Sequence, residues 1–158
     1  MTDIDSLARE IAAHAVRSGR RVGAAESLTS GAISVALGKA PDAASWFAGA
    51  IVAYQPSVKH ELLAVDPGPV VSAHTAKQMA DGVRKRLESD CGVAVTGVGG
   101  PGPEEGHPAG TVFIAVASEG GFEVQKRQFD GGPDEVVRAT VRESLEILLR
   151  YLSRTPPN

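Results

Sequence analysis

The chain has 158 residues, a formal net charge of −3 and a single cysteine. This length suits one domain with a sizeable core, and the charge gives no electrostatic footprint for a nucleic acid. One cysteine excludes an internal disulfide framework and is compatible with a reducing cytoplasm. Cys91 lies in an apolar run, which favours a small core residue over a nucleophile. No apolar run is long enough for a membrane span, and the first helix is not typical of a signal peptide.

Apolar periodicity and turn residues predict the elements in chain order. Helices are predicted over residues 4–18, 29–38, 56–63, 73–89 and 135–152, and strands over 22–25, 48–54, 91–95, 111–117 and 122–129. We therefore expect one three-layer α/β/α domain over residues 1–154. Its mixed sheet of about five strands ends in an antiparallel hairpin, whose second strand lacks an apolar face and is predicted at an edge. Residues 155–158 are expected to form a disordered tail.

Cap and loop residues add three local predictions. Asp5 or Ser6 is expected to cap the first helix, and Gly19 to end it. Residues 42–49 are expected to form a loop. Ser72 is expected to cap the helix that follows it.

The first predicted strand that ends in polar residues lies within residues 22–31. There an apolar run leads into small polar residues and then into a helical pattern. This order predicts a strand, a tight turn and a helix. Ser27 then lies at the edge of the sheet, close to the free backbone N–H groups of the helix start. Either Ser27 or Thr29 is simply a helix N-cap, or Ser27 is an exposed nucleophile.

The second strand end carries Tyr54, and Pro56 soon after it suits the first position of a short helix. Lys59 then lies within or just after the first turn, where the helix dipole disfavours a cation; if the side chain is also partly buried, both effects favour the neutral amine. A neutral lysine near a serine can act as a general base, whereas the alternative is a solvated surface lysine. Trp46 and Phe47, before this strand, are either edge-of-core residues or an apolar wall for a ring-shaped ligand.

The third strand end carries Thr96, followed by a loop rich in glycine and proline. Residues 97–102 match G-x-G-x-x-G, but the dinucleotide-binding motif must open a helix, and here prolines and then a strand follow. A loop of this length in a compact domain is more often functional than filler. Its glycines permit close approach of a ligand, and its N–H groups can bind an anion.

The hydroxyls of Ser27, Tyr54 and Thr96 are expected to meet, because open α/β sheets bind ligands at the carboxyl ends of their strands. The histidines are isolated and no cysteine cluster exists, so no metal site and no cofactor is predicted. With Lys59 close by in sequence, this convergence suggests an acyl-transfer site that uses a serine without a metal.

Three segments together carry a family resemblance. Residues 25–29 read AESLT, residues 52–54 read VAY with Lys59 soon after, and residues 95–102 read VTGVGGPG. In this order and spacing they resemble the CinA C-terminal domain family, which includes stand-alone nicotinamide-nucleotide amidases. The resemblance covers nearly the whole chain.

The resemblance implies an amidohydrolase that converts the carboxamide of nicotinamide mononucleotide into nicotinic acid mononucleotide and ammonia, in pyridine nucleotide salvage. By motif position Ser27 is the implied nucleophile, and Lys59 and Tyr54 activate it and carry the proton, in an order that stays open. The implied substrate-binding residues of the turn and the loop are Thr29, Thr96, Gly97, Gly99 and Gly100. With Ser27 as nucleophile, Thr29 or Ser30 is expected to cap the helix.

Arg138 matches an arginine at the start of the family's last helix and is implied to bind the phosphate. Pattern alone also allows it to pair with a nearby carboxylate. The chain departs from the family at Ser30, where a second glycine is common, and at residues 133–134, where Asp-Arg is common.

The resemblance further implies a homodimer that binds a small nucleotide substrate. The net charge and the lack of a long apolar run predict no nucleic acid and no membrane partner, and the single cysteine is compatible with the expected cytoplasmic location. The alternative function is a non-catalytic nucleotide-binding or partner-interaction module that keeps the pocket.

Overall fold

The computed structural model describes residues 2–155. Within them six helices and five strands follow one another: α1 (Ile4–Ser18), β1 (Val22–Glu26), α2 (Ala32–Gly38), α3 (Ala43–Trp46), β2 (Phe47–Val52), α4 (Pro56–Leu63), α5 (Ala73–Arg86), β3 (Cys91–Gly97), β4 (Thr111–Ser118), β5 (Gly121–Gln128) and α6 (Pro133–Arg154). None of these helices is both long enough and apolar enough to cross a membrane.

The strands form one mixed sheet in the order β2-β1-β3-β4-β5. Strand β1 is parallel to β2 and β3, whereas β3–β4 and β4–β5 are antiparallel. This arrangement confirms the predicted five-stranded mixed sheet, its terminal hairpin and the edge position of β5. The carboxyl ends of β1, β2 and β3 and the start of β4 consequently meet at one edge of the sheet.

Helices cover both faces of the sheet, as the three-layer prediction requires. Helices α1, α2 and α6 bury one apolar core against it, and α4 and α5 bury a second core against the other face. Small residues allow close packing on this second side. A side chain at Gly82 would overlap the backbone of Leu63, and one at Gly92 would overlap that of Ala80.

Two helix ends follow the predictions, and two local predictions are wrong. Gly19 ends α1 in the left-handed conformation, and the Ser72 hydroxyl caps α5. Asp3, not Asp5 or Ser6, caps α1, since its carboxylate accepts a hydrogen bond from the N–H of Ser6 (2.8 Å). The predicted loop over residues 42–49 contains the single turn α3, which buries an apolar side chain in the core.

The predicted disordered tail is wrong for its first residue. The Thr155 hydroxyl donates to the carbonyl of Tyr151 (2.7 Å) and accepts from the guanidinium of Arg20 (2.9 Å). Thr155 is thereby fixed to the end of α6. Residues 156–158 lie outside the described part of the chain.

Candidate active site

A pocket of about 290 Å³ opens at the edge where the parallel strands end. It brings together seven of the predicted site residues from three strand ends and α4: Ser27, Tyr54, Lys59, Thr96, Gly97, Gly99 and Gly100. The other wall residues include Leu28, Val70, Val71, Glu104 and Glu105. Thr29 and Arg138 are absent from this lining.

Ser27 lies in the turn between β1 and α2 and is 7 % exposed. Its carbonyl accepts a hydrogen bond from the N–H of Ser30 (3.1 Å), which closes the turn. Its hydroxyl has no hydrogen-bond partner among residues 2–155. An unbonded hydroxyl on a nearly buried residue that lines a pocket is available to a ligand or a reaction.

Glu26, which the sequence analysis did not select, holds this turn in place. Its side chain is fully buried and accepts five hydrogen bonds. The donors are two hydroxyls and three backbone N–H groups: the hydroxyls of Thr29 and Ser34 and the N–H groups of Gly31, Ile33 and Ser34. A carboxylate at the N-terminal end of a helix also complements the helix dipole.

The carboxylate of Glu26 corrects the predicted capping of α2. The N-cap position is Gly31, which has no side chain, so the prediction of Thr29 or Ser30 as the cap is wrong. Thr29 is buried, and its hydroxyl donates to Glu26 (2.6 Å). Because Thr29 faces this carboxylate rather than the pocket, the structure does not bring it together with the other predicted substrate ligands.

Lys59 lines the pocket wall and is fully buried, with an exposed fraction of 1 %. Its ammonium donates to the backbone carbonyl of Tyr54 (2.9 Å) and forms no ion pair with any carboxylate among residues 2–155. Burial lowers the pKa of Lys59, and the negative charges of Glu105 and Glu104 act in the opposite direction. The net effect favours the neutral amine relative to an ordinary surface lysine.

Tyr54 contributes to the site in two ways. Its backbone carbonyl fixes Lys59, whereas its side chain is 65 % exposed and lines the mouth of the pocket. The phenol oxygen has no hydrogen-bond partner in the described part of the chain. Sequence reasoning identified the hydroxyl at the strand end but could not reveal the carbonyl contact.

Thr96 has a fixed structural contact. Its buried hydroxyl donates to the carbonyl of Val70 (2.8 Å). The N–H of Val70 is bound at the other side by the carboxylate of Glu105 (3.0 Å), which also accepts from the N–H of Val71 (2.8 Å). The segment around Val70 is thereby held between β3 and the glycine-rich loop.

That loop, residues 98–110, has a closed neck. The N–H of Val98 donates to the carbonyl of Thr111, and the N–H of Gly110 donates to the carbonyl of Val98 (both 2.8 Å). The backbone N–H groups of Leu28, Gly99 and Gly100 have no partner within residues 2–155. These three residues line the pocket, so two different loops offer donors to an anion there.

Other candidates from the sequence lie elsewhere. Arg138 lines a separate groove between α1, α2 and α6, so one chain does not bring it to Ser27. Trp46 is buried in the core and donates to the carbonyl of Pro41 (2.9 Å), so the pocket does not use it as a ring wall. Burial raises the pKa of the Cys91 thiol to about 11, in agreement with a core residue.

No group of three or more His, Cys, Asp or Glu residues in the described range is arranged to hold a metal ion.

The profile of the CinA C-terminal domain matches residues 4–152. The chain belongs to the CinA C-terminal domain family. Among curated proteins, this CinA C-terminal domain is 39 % identical over 156 residues to a competence-damage inducible protein of Lacticaseibacillus casei. It is also 39 % identical over 158 residues to the CinA-like protein of Gloeobacter violaceus. These alignments cover 95 % of the chain but only 38 % and 37 % of the two relatives.

Solved structures of the superfamily have the same fold. A CinA superfamily protein from Enterobacter cloacae superposes with a TM-score of 0.93 at 32 % identity, covering 96 % of this chain and 94 % of that one. The competence/damage inducible protein CihA from Agrobacterium tumefaciens gives a TM-score of 0.89 at 34 % identity, covering 97 % of both chains. The CinA C-terminal domain thus corresponds to nearly the full length of these two proteins.

Proposed function

We propose that this CinA C-terminal domain hydrolyses the carboxamide of nicotinamide mononucleotide to nicotinic acid mononucleotide and ammonia, with Ser27 as nucleophile. One observation carries the proposal: the unbonded Ser27 hydroxyl shares a pocket with the buried Lys59. Amide hydrolysis through an acyl-enzyme needs a nucleophile, a base that later acts as an acid, and donors for the oxyanion. All three kinds of group line this pocket.

In the first half-reaction the neutral amine of Lys59 accepts the proton of Ser27, directly or through the phenol of Tyr54. The serine oxygen forms a bond to the amide carbon, and the negative oxygen of the tetrahedral intermediate accepts from free backbone N–H groups. The N–H groups of Leu28, Gly99 and Gly100 are the candidates. The C–N bond then breaks, and the protonated base donates its proton so that ammonia leaves.

In the second half-reaction water attacks the ester of Ser27. Lys59 takes a proton from that water, the bond between carbon and the serine oxygen breaks, and the serine recovers its proton. The sum is one amide and one water converted into one carboxylic acid and one ammonia. Because only the neutral amine starts the cycle, kcat/KM is expected to rise with pH through the lowered pKa of Lys59.

The direct test incubates the purified protein with nicotinamide mononucleotide and follows both ammonia and the acid product. Ser27→Ala is expected to lower kcat at least about 10³-fold, since the covalent step is lost. Lys59→Met is expected to lower kcat about 10²- to 10⁴-fold. Ser45→Ala, an exposed serine at the opposite end of the sheet, is the matched control and is expected to leave kcat unchanged.

Equal rates for wild type and Ser27→Ala would refute the serine mechanism. Binding of the mononucleotide without any product would instead support the alternative of a non-catalytic binding module. The homodimer and the cytoplasmic location stay predictions. Light scattering of the purified protein tests the homodimer, and a mass near 16.3 kDa, that of one chain, would contradict it.

A further inference from the structure

The pocket wall carries an excess of negative charge. Glu104 and Glu105 both line it, and Lys59 is the one basic side chain among the lining residues. The formal charge of the wall is therefore −1 with a protonated Lys59 and −2 with the neutral amine. Neither glutamate forms an ion pair among residues 2–155, so this charge is not cancelled within the described chain.

The position of Glu105 is built into the loop. The main chains of Glu104 and His107 bond to each other in both directions (3.1 and 2.8 Å), and the two residues between them, Glu105 and Gly106, have positive φ angles of 50° and 79°. Positive φ at both central positions is typical of a type I′ turn. The left-handed region is unfavourable for a non-glycine residue, so the contacts of Glu105 are maintained against a backbone cost.

The Glu105 carboxylate accepts from the N–H groups of Val70 and Val71, which fixes one negative charge at the wall. The Glu104 carboxylate has no hydrogen-bond partner in the described part of the chain. A fixed and a free carboxylate thus face the same space as the Ser27 hydroxyl. Residue Ser27 is more than nine-tenths buried and lines this space, and its hydroxyl has no hydrogen-bond partner among residues 2–155, which marks the space as a ligand site independently of the acidic residues.

We propose that this pocket selects amides whose ring carries a positive charge, with Glu104 and Glu105 as the counter-charges. The inference rests on the proposed function, since the pyridinium ring of nicotinamide mononucleotide is such a cation. Opposite charges a few ångströms apart attract each other, and more strongly near a protein surface than in bulk water. The pocket therefore distinguishes a pyridinium from a neutral ring of nearly the same shape.

Substrate charge also assists the reaction. A cation close to Lys59 disfavours its ammonium form, so the bound ring promotes the neutral amine that accepts the serine proton. Hydrolysis then converts a neutral carboxamide into a carboxylate, which adds a negative charge beside Glu104 and Glu105. Repulsion between these charges favours release of the product.

The test compares nicotinamide mononucleotide with its reduced dihydropyridine form, which keeps the carboxamide, ribose and phosphate but has an uncharged ring. Calorimetric titration of Ser27→Ala, which cannot turn the ligand over, is expected to show at least about tenfold tighter binding of the cationic form. In Ser27→Ala carrying Glu104→Gln and Glu105→Gln, the ratio of the two Kd values is expected to fall to about one. Glu119→Gln, an exposed acid in the turn at the far end of the β4–β5 hairpin, is the matched control.

A Kd ratio near one in Ser27→Ala, or an unchanged ratio in the double glutamine variant, would overturn the inference. The proposed function is judged separately from wild-type turnover. Hydrolysis without charge discrimination removes the inference alone, and discrimination without hydrolysis removes the function alone. Failure of both mononucleotides to bind removes both. Circular dichroism of each variant verifies that it is folded.

Discussion

Glu26 and Glu105 each tie a loop that lines the pocket to backbone N–H groups, one from inside the core and the other from the surface. Glu26 is fully buried and collects five donors from the turn and from α2. Glu105 is exposed and collects the N–H groups of two residues from the opposite wall. The same functional group therefore holds two loops. We expect removal of the buried carboxylate to lower stability much more than removal of the exposed one.

A buried carboxylate leaves its donors without water when it is removed, whereas an exposed one leaves donors that water can reach. The turn that contains Ser27 is thus part of what stabilises the fold, and the opposite wall is held by contacts that the fold can lose. Both carboxylates also accept hydrogen bonds from N–H groups that would otherwise be free to bind an anion. The helix end beside Ser27 is satisfied internally, so the donors left for a substrate are those of Leu28, Gly99 and Gly100.

The largest effect is expected from Glu26→Ala. Three buried N–H groups and two hydroxyls lose their acceptor, which we expect to lower the free energy of unfolding by about 3–5 kcal/mol. Urea denaturation measures it, with the exposed Glu10→Ala of α1 as the control within about 0.5 kcal/mol of wild type. A loss below 1 kcal/mol would mean that the turn does not depend on this carboxylate.

Removal of a single hydroxyl donor to Glu26 should lower the free energy of unfolding by an amount that depends on how buried the donor is. Thr29→Val removes one buried hydroxyl donor to Glu26, with an expected loss of about 1–2 kcal/mol in the same denaturation experiment. Ser34→Ala removes a donor to the other carboxylate oxygen from a half-buried residue, and its loss is expected to be smaller. A larger loss for Ser34→Ala than for Thr29→Val would contradict the expectation that the more buried donor contributes more to stability.

Glu105→Gln should show that the exposed carboxylate contributes less to stability than the buried carboxylate of Glu26 does. Its unfolding free energy is expected to stay within about 0.5–1 kcal/mol of wild type, because the residue is exposed and the amide oxygen still accepts. The Glu105 charge raises the pKa of Lys59, so its removal lowers that pKa. The rising limb of kcat/KM against pH is therefore expected to move to lower pH, and a shift to higher pH would contradict this assignment.

The smallest expected effect is a gain in stability from Ser30→Gly. Ser30 has a φ of 52°, in the left-handed region that favours glycine. Relief of about 1–2 kcal/mol of backbone cost is offset by about 0.5–1 kcal/mol of added chain entropy, so a net gain of about 0.5–1 kcal/mol is expected. Ser153→Gly in α6, where φ is helical, should instead lose stability, and thermal unfolding compares the two.

Much of the fold could be predicted from local signals. The bounds of α1 and α4 match the prediction, because apolar spacing with Gly19 defines one helix and Pro56 begins the other. Helix α3 was missed because a single turn has no measurable periodicity. Caps were missed at α1 and α2 because a polar residue adjacent to a helix is ambiguous until its partner is known.

For the site, the sequence predicts which residues converge but not what each of them contacts. Ser27, Tyr54 and Thr96 could be predicted to converge because parallel strands end at one edge of a sheet. Their individual contacts could not be predicted. Thr29 was expected to face a ligand and instead faces Glu26, whose donors come from the turn and helix that follow it. A carboxylate at the end of an apolar strand, followed by hydroxyl residues, was the available signal.

The closed neck of residues 98–110 has a consequence for how such pockets diversify. The loop leaves β3 and returns to β4 between hydrogen-bonded neighbours, so its length does not set the register of either strand. Insertions, deletions or whole-loop exchanges can reshape one side of the cavity while the turn that contains Ser27 keeps its hydrogen bonds to Glu26. Many of the residues that line the cavity thereby lie apart from those that stabilise the fold, which makes this loop the natural target for changing what the pocket binds.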